Sequence, residues 1–217
     1  MTKSTINKRL LIPTILVAVT YFLSYGIPSF FVSHRVIYIT SKVDELIPLF
    51  TPAVIPYILA LFQWIATLLI VLKQDTNKGY YLCSSLILSS LIGMIIFFIF
   101  PTQVIRPTLQ IANIFDQLLS NVYASDVGFA FPSFHCLFSW FVIRALKKCD
   151  NVSKSFYIVN VLFSFMVFAS TLLVKQHIIY DVLGGILLCE LGMYITTKIK
   201  IDGLFNHLNK HILNIKQ

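Results

Sequence analysis

The sequence has little charge, since Asp, Glu, Lys and Arg make up only 12% of its 217 residues. In soluble domains these four residue types account for about a quarter of the chain. Hydrophobic residues reach 57%, and the mean hydropathy is +0.82. The scarcity of charge therefore excludes an ordinary soluble domain and predicts an integral membrane protein.

Cysteine is also scarce, and the spacing of the four cysteines shows no pairs. The spacing excludes a disulfide framework, and we expect the cysteines to be reduced and structural. The chain also lacks internal repeats and low-complexity tracts, so we predict a single domain over residues 1–217. The cysteines are Cys83, Cys136, Cys149 and Cys189.

Six apolar runs approach the length of about 20 residues that a helix needs to cross the bilayer core. We therefore predict an all-α fold, an integral membrane bundle of six helices. A basic start precedes the first run, but that run is too long for a signal peptide and no small-residue cleavage site follows it. The runs lie near residues 10–32, 53–72, 80–100, 128–146, 155–174 and 178–197.

The basic side chains are distributed unevenly along this predicted bundle. If the N-terminus is inside, 13 of the 17 Lys and Arg residues lie on the inner face, and the outer face keeps Arg35, Lys42, Arg106 and Lys175. This bias predicts that both termini are cytoplasmic, and it accounts for the net charge of +8 without nucleic acid. The richness in Ile, Lys and Asn suggests an AT-rich genome and a bacterial plasma membrane. We expect segment 198–217 to form either a basic surface helix or a disordered end.

Three polar clusters fall at the same, outer, end of the predicted spans. The segment "FPTQVIRPTL" contains Arg106, and "AFPSFHCLFSW" contains Ser133 and His135. Each residue also has a purely structural explanation: Arg106 as a solvated loop charge, Ser133 as a helix N-cap and His135 as a core histidine. Because polar groups at membrane depth are costly, the convergence of the clusters on one face favours a functional site.

The third cluster, "STLLVKQHIIYDVLGG", places Lys175 and His177 between the last two spans. Asp181 follows His177 by four residues, so the two side chains are predicted to share one face of a helix, where Asp181 can orient the imidazole. A structural pair inside the bundle is the alternative. Gly184 and Gly185 predict the close approach of a neighbouring helix.

Together these clusters suit the chemistry of phosphate. Two cations, a hydroxyl and the backbone N–H groups of a helix start form an anion site. A histidine oriented by a carboxylate can act as a nucleophile or base, and a second histidine can protonate a leaving oxygen. The set predicts phosphoryl transfer through a phosphohistidine, promoted mainly by positioning and charge stabilisation.

Three short motifs carry a resemblance to a known family. They are Arg-Pro at 106–107, Pro-Ser-Phe-His at 132–135, and Ser-Thr-x5-His-x3-Asp at 170–181. In this order they resemble the signature motifs of the type 2 phosphatidic acid phosphatase superfamily, over a core of about residues 80–197. The stretch "DELIPLFTP" at 44–52 also resembles an outer loop of relatives of the inositol phosphorylceramide synthases.

The resemblance implies a role for each matching residue. His177 attacks phosphorus, Asp181 orients His177, and His135 protonates the leaving group. Arg106 and Ser133 bind phosphate oxygens. The family implies a lipid phosphate substrate in the bilayer, an active site on the extracytoplasmic side, and neither a metal nor another cofactor.

The chain departs from the family motifs at three positions. Ile99 stands where the first motif has a lysine, and Thr171 stands where the third motif has an arginine. Phe134 replaces the glycine of the second motif, which keeps the backbone N–H but adds bulk. Lys175, two residues before His177, is our own candidate for the substitute cation, although Lys is a poorer bidentate partner than Arg.

The sequence leaves several functions open. Hydrolysis of a lipid phosphate is the first hypothesis, and transfer of the phosphoryl group to an alcohol, as in sphingolipid and inositol phosphorylceramide synthases, is its close rival. A transporter or lipid-binding membrane protein would use the same groups only to hold a head group. A zinc hydrolase would use His135, His177 and Asp181 as ligands. The substrate, the acceptor and the oligomeric state remain open.

Overall fold

A computed structural model describes residues 8–125 and 129–199 together with Phe205 and Leu208, and these residues are mostly helical. The C-terminal segment predicted as a surface helix or disordered end lies largely outside the described residues. The described helices are α1 Leu11–Val32, α2 Lys42–Glu45, α3 Val54–Val71, α4 Thr76–Ile99, α5 Ile114–Ser125, α6 Phe134–Lys148, α7 Lys154–Leu173 and α8 Ile179–Lys198.

Within the described residues, five helices are long and apolar enough to cross a membrane: α1, α3, α4, α7 and α8. The fourth predicted span, 128–146, corresponds to α6, which begins later and has only 15 residues. At a rise of 1.5 Å per residue such a helix is about 22 Å long, whereas the hydrocarbon core is about 30 Å thick. The length of α6 alone therefore does not establish a sixth crossing.

Polar residues set the starts of three helices. Asp75 accepts a hydrogen bond from the backbone N–H of Lys78 at the start of α4. Ser133 and Ser153 do the same at the starts of α6 and α7. Each cap satisfies a backbone donor that has no partner within its helix. Ser133 thus has the N-cap geometry that was the structural alternative for this residue, and the loop before it ends where α6 begins.

The short helix α6 lies at the centre of the bundle. It packs against α3, α4, α7 and α8, while α1 packs on the outer side of α4. Leu137, Val142 and Ala145 are fully buried in the main core, and aromatic rings surround the first turn of α6. Residues near the start of α6 are therefore held by contacts from several helices at once.

The predicted close approach at Gly184 and Gly185 is confirmed. A Cβ atom on Gly185 would overlap the backbone carbonyl oxygen of Ser133, and one on Gly184 would overlap the ring of Phe131. The absence of both side chains lets the start of α8 touch the start of α6. In this contact the backbone N–H of Ser133 donates to the backbone carbonyl of Asp181 at 3.0 Å.

Two short strands join the ends of α1 and α4. The fold is therefore mostly helical, as predicted, but it also includes one small sheet. Strand β1 (Ile37–Ile39) pairs in parallel with β2 (Thr102–Val104), and Ile37 lies opposite Thr102. Thr102 also accepts hydrogen bonds from the loop before α6: its carbonyl accepts from Ala130 and its hydroxyl from Phe131. Strands of three residues are too short to show a period in the sequence.

Replacing Gly185 by alanine should destabilise the protein. The added methyl group meets backbone rather than a movable side chain, so we expect a loss of about 1–3 kcal/mol in the free energy of unfolding. Gly26→Ala is the matched control, since a Cβ there meets open space. Thermal unfolding of the two purified variants in detergent measures the effect, and equal midpoints would contradict it.

Candidate active site

The site lies at the end of the bundle where α6 and α8 begin and α7 ends. His135 is the second residue of α6, and His177 lies in the turn between α7 and α8. Their ring centroids are 6.5 Å apart. The structure therefore brings together two imidazoles that are 42 positions apart in the sequence.

His177 and Asp181 are close, but not on one face of a continuous helix as predicted. Helix α8 begins at Ile179, after His177, because the Asp181 carboxylate caps the new helix by accepting from the backbone N–H of Ile178 at 2.9 Å. The same Oδ2 atom lies 3.5 Å from Nδ1 of His177. The carboxylate thus contacts both the imidazole and the backbone that carries it.

Several buried polar atoms in this turn are left without a hydrogen-bond partner among the described residues. They are Nδ1 of His177, Oδ1 of Asp181 and Nε2 of Gln176. Buried polar atoms without partners are rare in folded proteins and call for an explanation such as a water, an ion or a ligand. Their clustering makes this turn a candidate binding site for a polar group.

A loop outside the three motifs holds this turn in place. Asp44 lies in the short helix α2, which follows β1. Its carboxylate accepts a hydrogen bond from the backbone N–H of Ile179 at 3.0 Å. The ammonium of Lys175 donates to the backbone carbonyls of Asp44 and Ile47. Lys175 therefore ties the loop to the turn. Its φ of 53° lies in the left-handed region of backbone conformation. Sequence reasoning noted this loop only as a resemblance and missed the contact of Asp44, because a residue 135 positions away gives no local signal.

Arg106 reaches the same turn from the loop after β2. Its guanidinium donates to the side-chain carbonyl of Gln176 at 2.6 Å and to the backbone carbonyl of Tyr123 at 3.0 Å, and it lies 5.0 Å from the ring centroid of Tyr123. Because of these contacts, Arg106 is not a solvated loop charge. Gln176 immediately precedes His177, so Arg106 is bound to the turn that carries this histidine.

Burial raises the pKa of Tyr123 to about 12, and the charge of Arg106 opposes this shift. The Tyr123 hydroxyl thus remains a donor, bonded to Val174 at 2.7 Å.

The first turn of α6 shows how the departures from the family motifs are accommodated. Ser133 is fully buried, and its hydroxyl caps α6. Phe134 points into the core, where it fills the space that a side chain on Gly93 would need. The other two departures carry no charge into the site: Ile99 is 77% exposed at the end of α4, and the carbonyl of Thr171 accepts from the backbone of the His177 turn.

Aromatic rings hold His135, and sequence reasoning did not identify them. The ring of Tyr57 stacks on His135 with centroids 3.9 Å apart, and Trp64 meets it edge-on at 5.1 Å. The indole N–H of Trp64 donates to the Ser139 hydroxyl at 3.1 Å. Both rings come from α3, seven residues apart and so on one helix face, but only the packing of α3 on α6 directs them at His135.

Two cavities reach His177 from different sides. One, of about 350 Å³, also reaches His135 and is lined by aromatic residues of α1 and by Tyr57. The other, of about 270 Å³, lies between the two strands and the loop of Asp44 and also contacts Lys175. Of the described residues, no group of three or more His, Cys, Asp or Glu side chains is placed to hold a metal ion.

Helix α5, which was not predicted, closes the site on the remaining side. Leu119 of α5 packs against Val54 and Tyr57 of α3 and against Val174 at the end of α7. At the start of α5, a hydrogen bond from the Thr51 side chain and backbone N–H groups lower the pKa of Asp116, which keeps this carboxylate charged. The amphipathic helix is therefore fixed both to the core and to the loop before α3.

Comparison with known proteins gives one result. A family model described as the PAP2 superfamily matches residues 36–195. The match begins well before the first of the three motifs and includes the loop of Asp44. No curated protein and no solved structure matches the chain.

Asp44→Ala should lower the turnover of a phosphate-bearing substrate by about tenfold to a hundredfold, because small displacements of reacting groups have effects of this size. The variant loses the acceptor for the Ile179 N–H and so loosens the His177 turn. Lys42→Ala is the matched control, since its side chain is exposed on the same short helix and lines neither cavity. Equal rates for the two variants, measured at equal amounts of folded protein, would contradict the positioning role of Asp44.

Proposed function

Because this chain belongs to the PAP2 superfamily, whose members are generally phosphatase-type enzymes, we propose that it hydrolyses a lipid phosphate in the membrane. Its long apolar helices are consistent with an integral membrane protein. The substrate is then a phosphomonoester or diphosphate whose hydrocarbon part remains in the bilayer while the phosphate reaches the end of the bundle.

The observation that carries the proposal is the pair of histidines. Their ring centroids are 6.5 Å apart, so both imidazoles can contact one phosphoryl group. Of the two, His177 has a carboxylate beside it among the described residues, with Oδ2 of Asp181 3.5 Å from Nδ1. This difference supports distinct roles, His177 as nucleophile and His135 as proton donor.

In the proposed first step, Nε2 of His177 attacks phosphorus and the bond between phosphorus and the lipid oxygen breaks. His135 gives its proton to that oxygen, and Asp181 stabilises the positive charge on the phosphorylated imidazole. In the second step, water attacks the phosphohistidine and passes a proton to His135. Inorganic phosphate leaves, and both histidines return to their starting state.

We assign the binding of phosphate oxygens to Arg106, Ser133 and Lys175. The hydrogen bond to Gln176 holds Arg106 next to the nucleophile's turn, and Ser133 lies at the N-terminus of α6, where backbone N–H groups favour an anion. Lys175 contacts the same cavity as His177, with its ammonium on the loop carbonyls. It therefore supplies charge close to the site rather than a bidentate clamp.

For the placement in the membrane, we propose six crossings with α6 as the short, enclosed fourth one, and both termini in the cytoplasm. The unequal distribution of Lys and Arg supports this orientation. The histidines then lie at the extracytoplasmic face of a plasma membrane, because they sit at the end of the bundle where α1 ends.

His177→Ala should abolish the release of phosphate, because the variant lacks the imidazole that we propose as the nucleophile. Phosphate release from a panel of lipid phosphates by purified wild type and variant measures this. Vanadate should inhibit the wild type, since it imitates the five-coordinate transition state.

Gln117→Ala serves as a control, since Gln117 is an exposed residue of α5 whose side chain donates to Asn121 in the same helix. If the wild type and His177→Ala both bind the lipid and neither turns it over, the result would instead favour a transporter or lipid-binding protein. Loss of activity in chelator would favour a metal hydrolase.

A second candidate, transfer of the phosphoryl group to an alcohol, is favoured by the two cavities that meet at His177. A hydrolase needs room for one lipid and water, whereas a transferase needs a second site for its acceptor. The smaller cavity contains hydroxyl and carboxylate groups, from Thr40, Ser41 and Asp44, that can accept hydrogen bonds from an alcohol.

Thin-layer analysis with radiolabelled lipid phosphate in the presence of candidate alcohols distinguishes the two reactions. Hydrolysis produces free labelled phosphate alone, because water is then the acceptor in the second step. Transfer produces a new labelled compound whose amount rises with the alcohol concentration. Free phosphate at every alcohol concentration would contradict the second candidate.

A further inference from the structure

The larger cavity beside the histidines is walled by helix α1, which the catalytic proposal does not use. Tyr21, Phe22 and Tyr25 of α1 line it together with Phe129 and the two histidines. Asp, Glu, Lys and Arg are absent from its described lining. Such a lining suits an apolar ligand that ends in a polar group at the histidines.

The cavity extends from the site toward the middle of the membrane helices. Helix α1 ends at Val32, so Gly26 lies about 9 Å and Tyr21 about 16 Å along the helix from that end. The bilayer core is about 30 Å thick. A ligand that fills the cavity therefore runs from the level of the histidines to about the depth of the middle of the bilayer.

Gly26 lies at the outer edge of this cavity. Outside its own stretch of helix, no atom of the described residues is within 4 Å of the position of a Cβ on Gly26. Glycine costs a helix interior roughly 0.5–1 kcal/mol relative to alanine. Neither close packing nor a turn requires a glycine here, in contrast to Gly93 and Gly185, which lie against other helices. An opening for a ligand between the cavity and the bilayer explains it.

We propose that this cavity binds the hydrocarbon chain next to the phosphate of the substrate, and that Gly26 determines specificity by leaving space for the chain. The inference rests on the proposed function, since the chain must belong to the lipid whose phosphate meets His177. The chain enters sideways from the bilayer past Gly26 and lies against the rings of Tyr21 and Tyr25.

The smaller cavity is a poorer site for this chain. Its described lining is also largely apolar, but it reaches His177 without His135, and Asp44, Glu45 and Lys175 contact it. The larger cavity reaches both histidines, so a chain attached to a phosphate held between them leads into that cavity. An apolar chain and a polar head group or acceptor can occupy them at the same time.

The chain's position is tested by photo-crosslinking, which does not require turnover. The full protein carrying His177→Ala is placed in vesicles containing phosphatidic acid with a photoreactive diazirine in the middle of one chain. We expect labels on Tyr21, Tyr25 or Phe129, which are less exposed to the bilayer than Phe22, and a loss of about tenfold when Gly26→Leu is added, as for bulk added to a hydrophobic pocket. Labels confined to other parts of the protein would overturn the inference.

The same substitution is tested in the active protein. Gly26→Leu should lower the ratio of turnover of long-chain to short-chain phosphatidic acid by about tenfold, because only the long chain needs the whole cavity. Ala18→Leu is the matched control, since it adds similar bulk on the exposed surface of α1 away from the cavity. An unchanged ratio for Gly26→Leu would overturn the inference.

The two measurements separate the inference from the proposed function. Labelling of the cavity without any phosphate release by the wild type would retain the chain site and reject the phosphatase. Phosphate release without labelling of the cavity would retain the phosphatase and reject the chain site.

Discussion

The site depends on the contact between the start of α6 and the start of α8. Ser133 donates its backbone N–H to the carbonyl of Asp181, and Gly185 makes the approach possible because it has no side chain to hold the helices apart. His135 follows Ser133 by two residues, and His177 precedes Asp181 by four. This backbone hydrogen bond therefore ties the helix that carries His135 to the helix that follows the His177 turn. Attachment to rigid helices holds a site's geometry better than loops alone would.

The surrounding elements act on this contact from two sides. On the core side, Phe134 fills the space left by Gly93, and Tyr57 stacks on His135. On the outer side, Asp44 and Arg106 hold the turn that carries the nucleophile candidate, one through the backbone of Ile179 and the other through Gln176. The two cations of the family motifs are missing from this chain. The turn that carries His177 is held largely by hydrogen bonds to backbone groups.

Much of the fold could be predicted from the sequence, and the errors have identifiable causes. The long spans agree with α1, α3, α4, α7 and α8 because an apolar run of this length is a strong signal. Helix α6 was predicted too long because its run of apolar residues begins in the loop before Ser133. Helix α5 and the strands β1 and β2 were missed because they are short, and their stability comes from contacts with distant segments rather than from local pattern.

What the sequence by itself determined is the class of molecule, the approximate spans and the residues able to do chemistry, because composition and local spacing carry that information. Only the tertiary structure decided which of those residues meet, that His177 precedes α8 instead of lying within it, and that Asp44, Tyr57 and an aromatic cavity adjoin the histidines. These features join segments separated by up to 135 positions. They arise from helix packing, where the absence of a single Cβ atom at Gly185 sets how closely two elements approach, and no local pattern encodes such a distance.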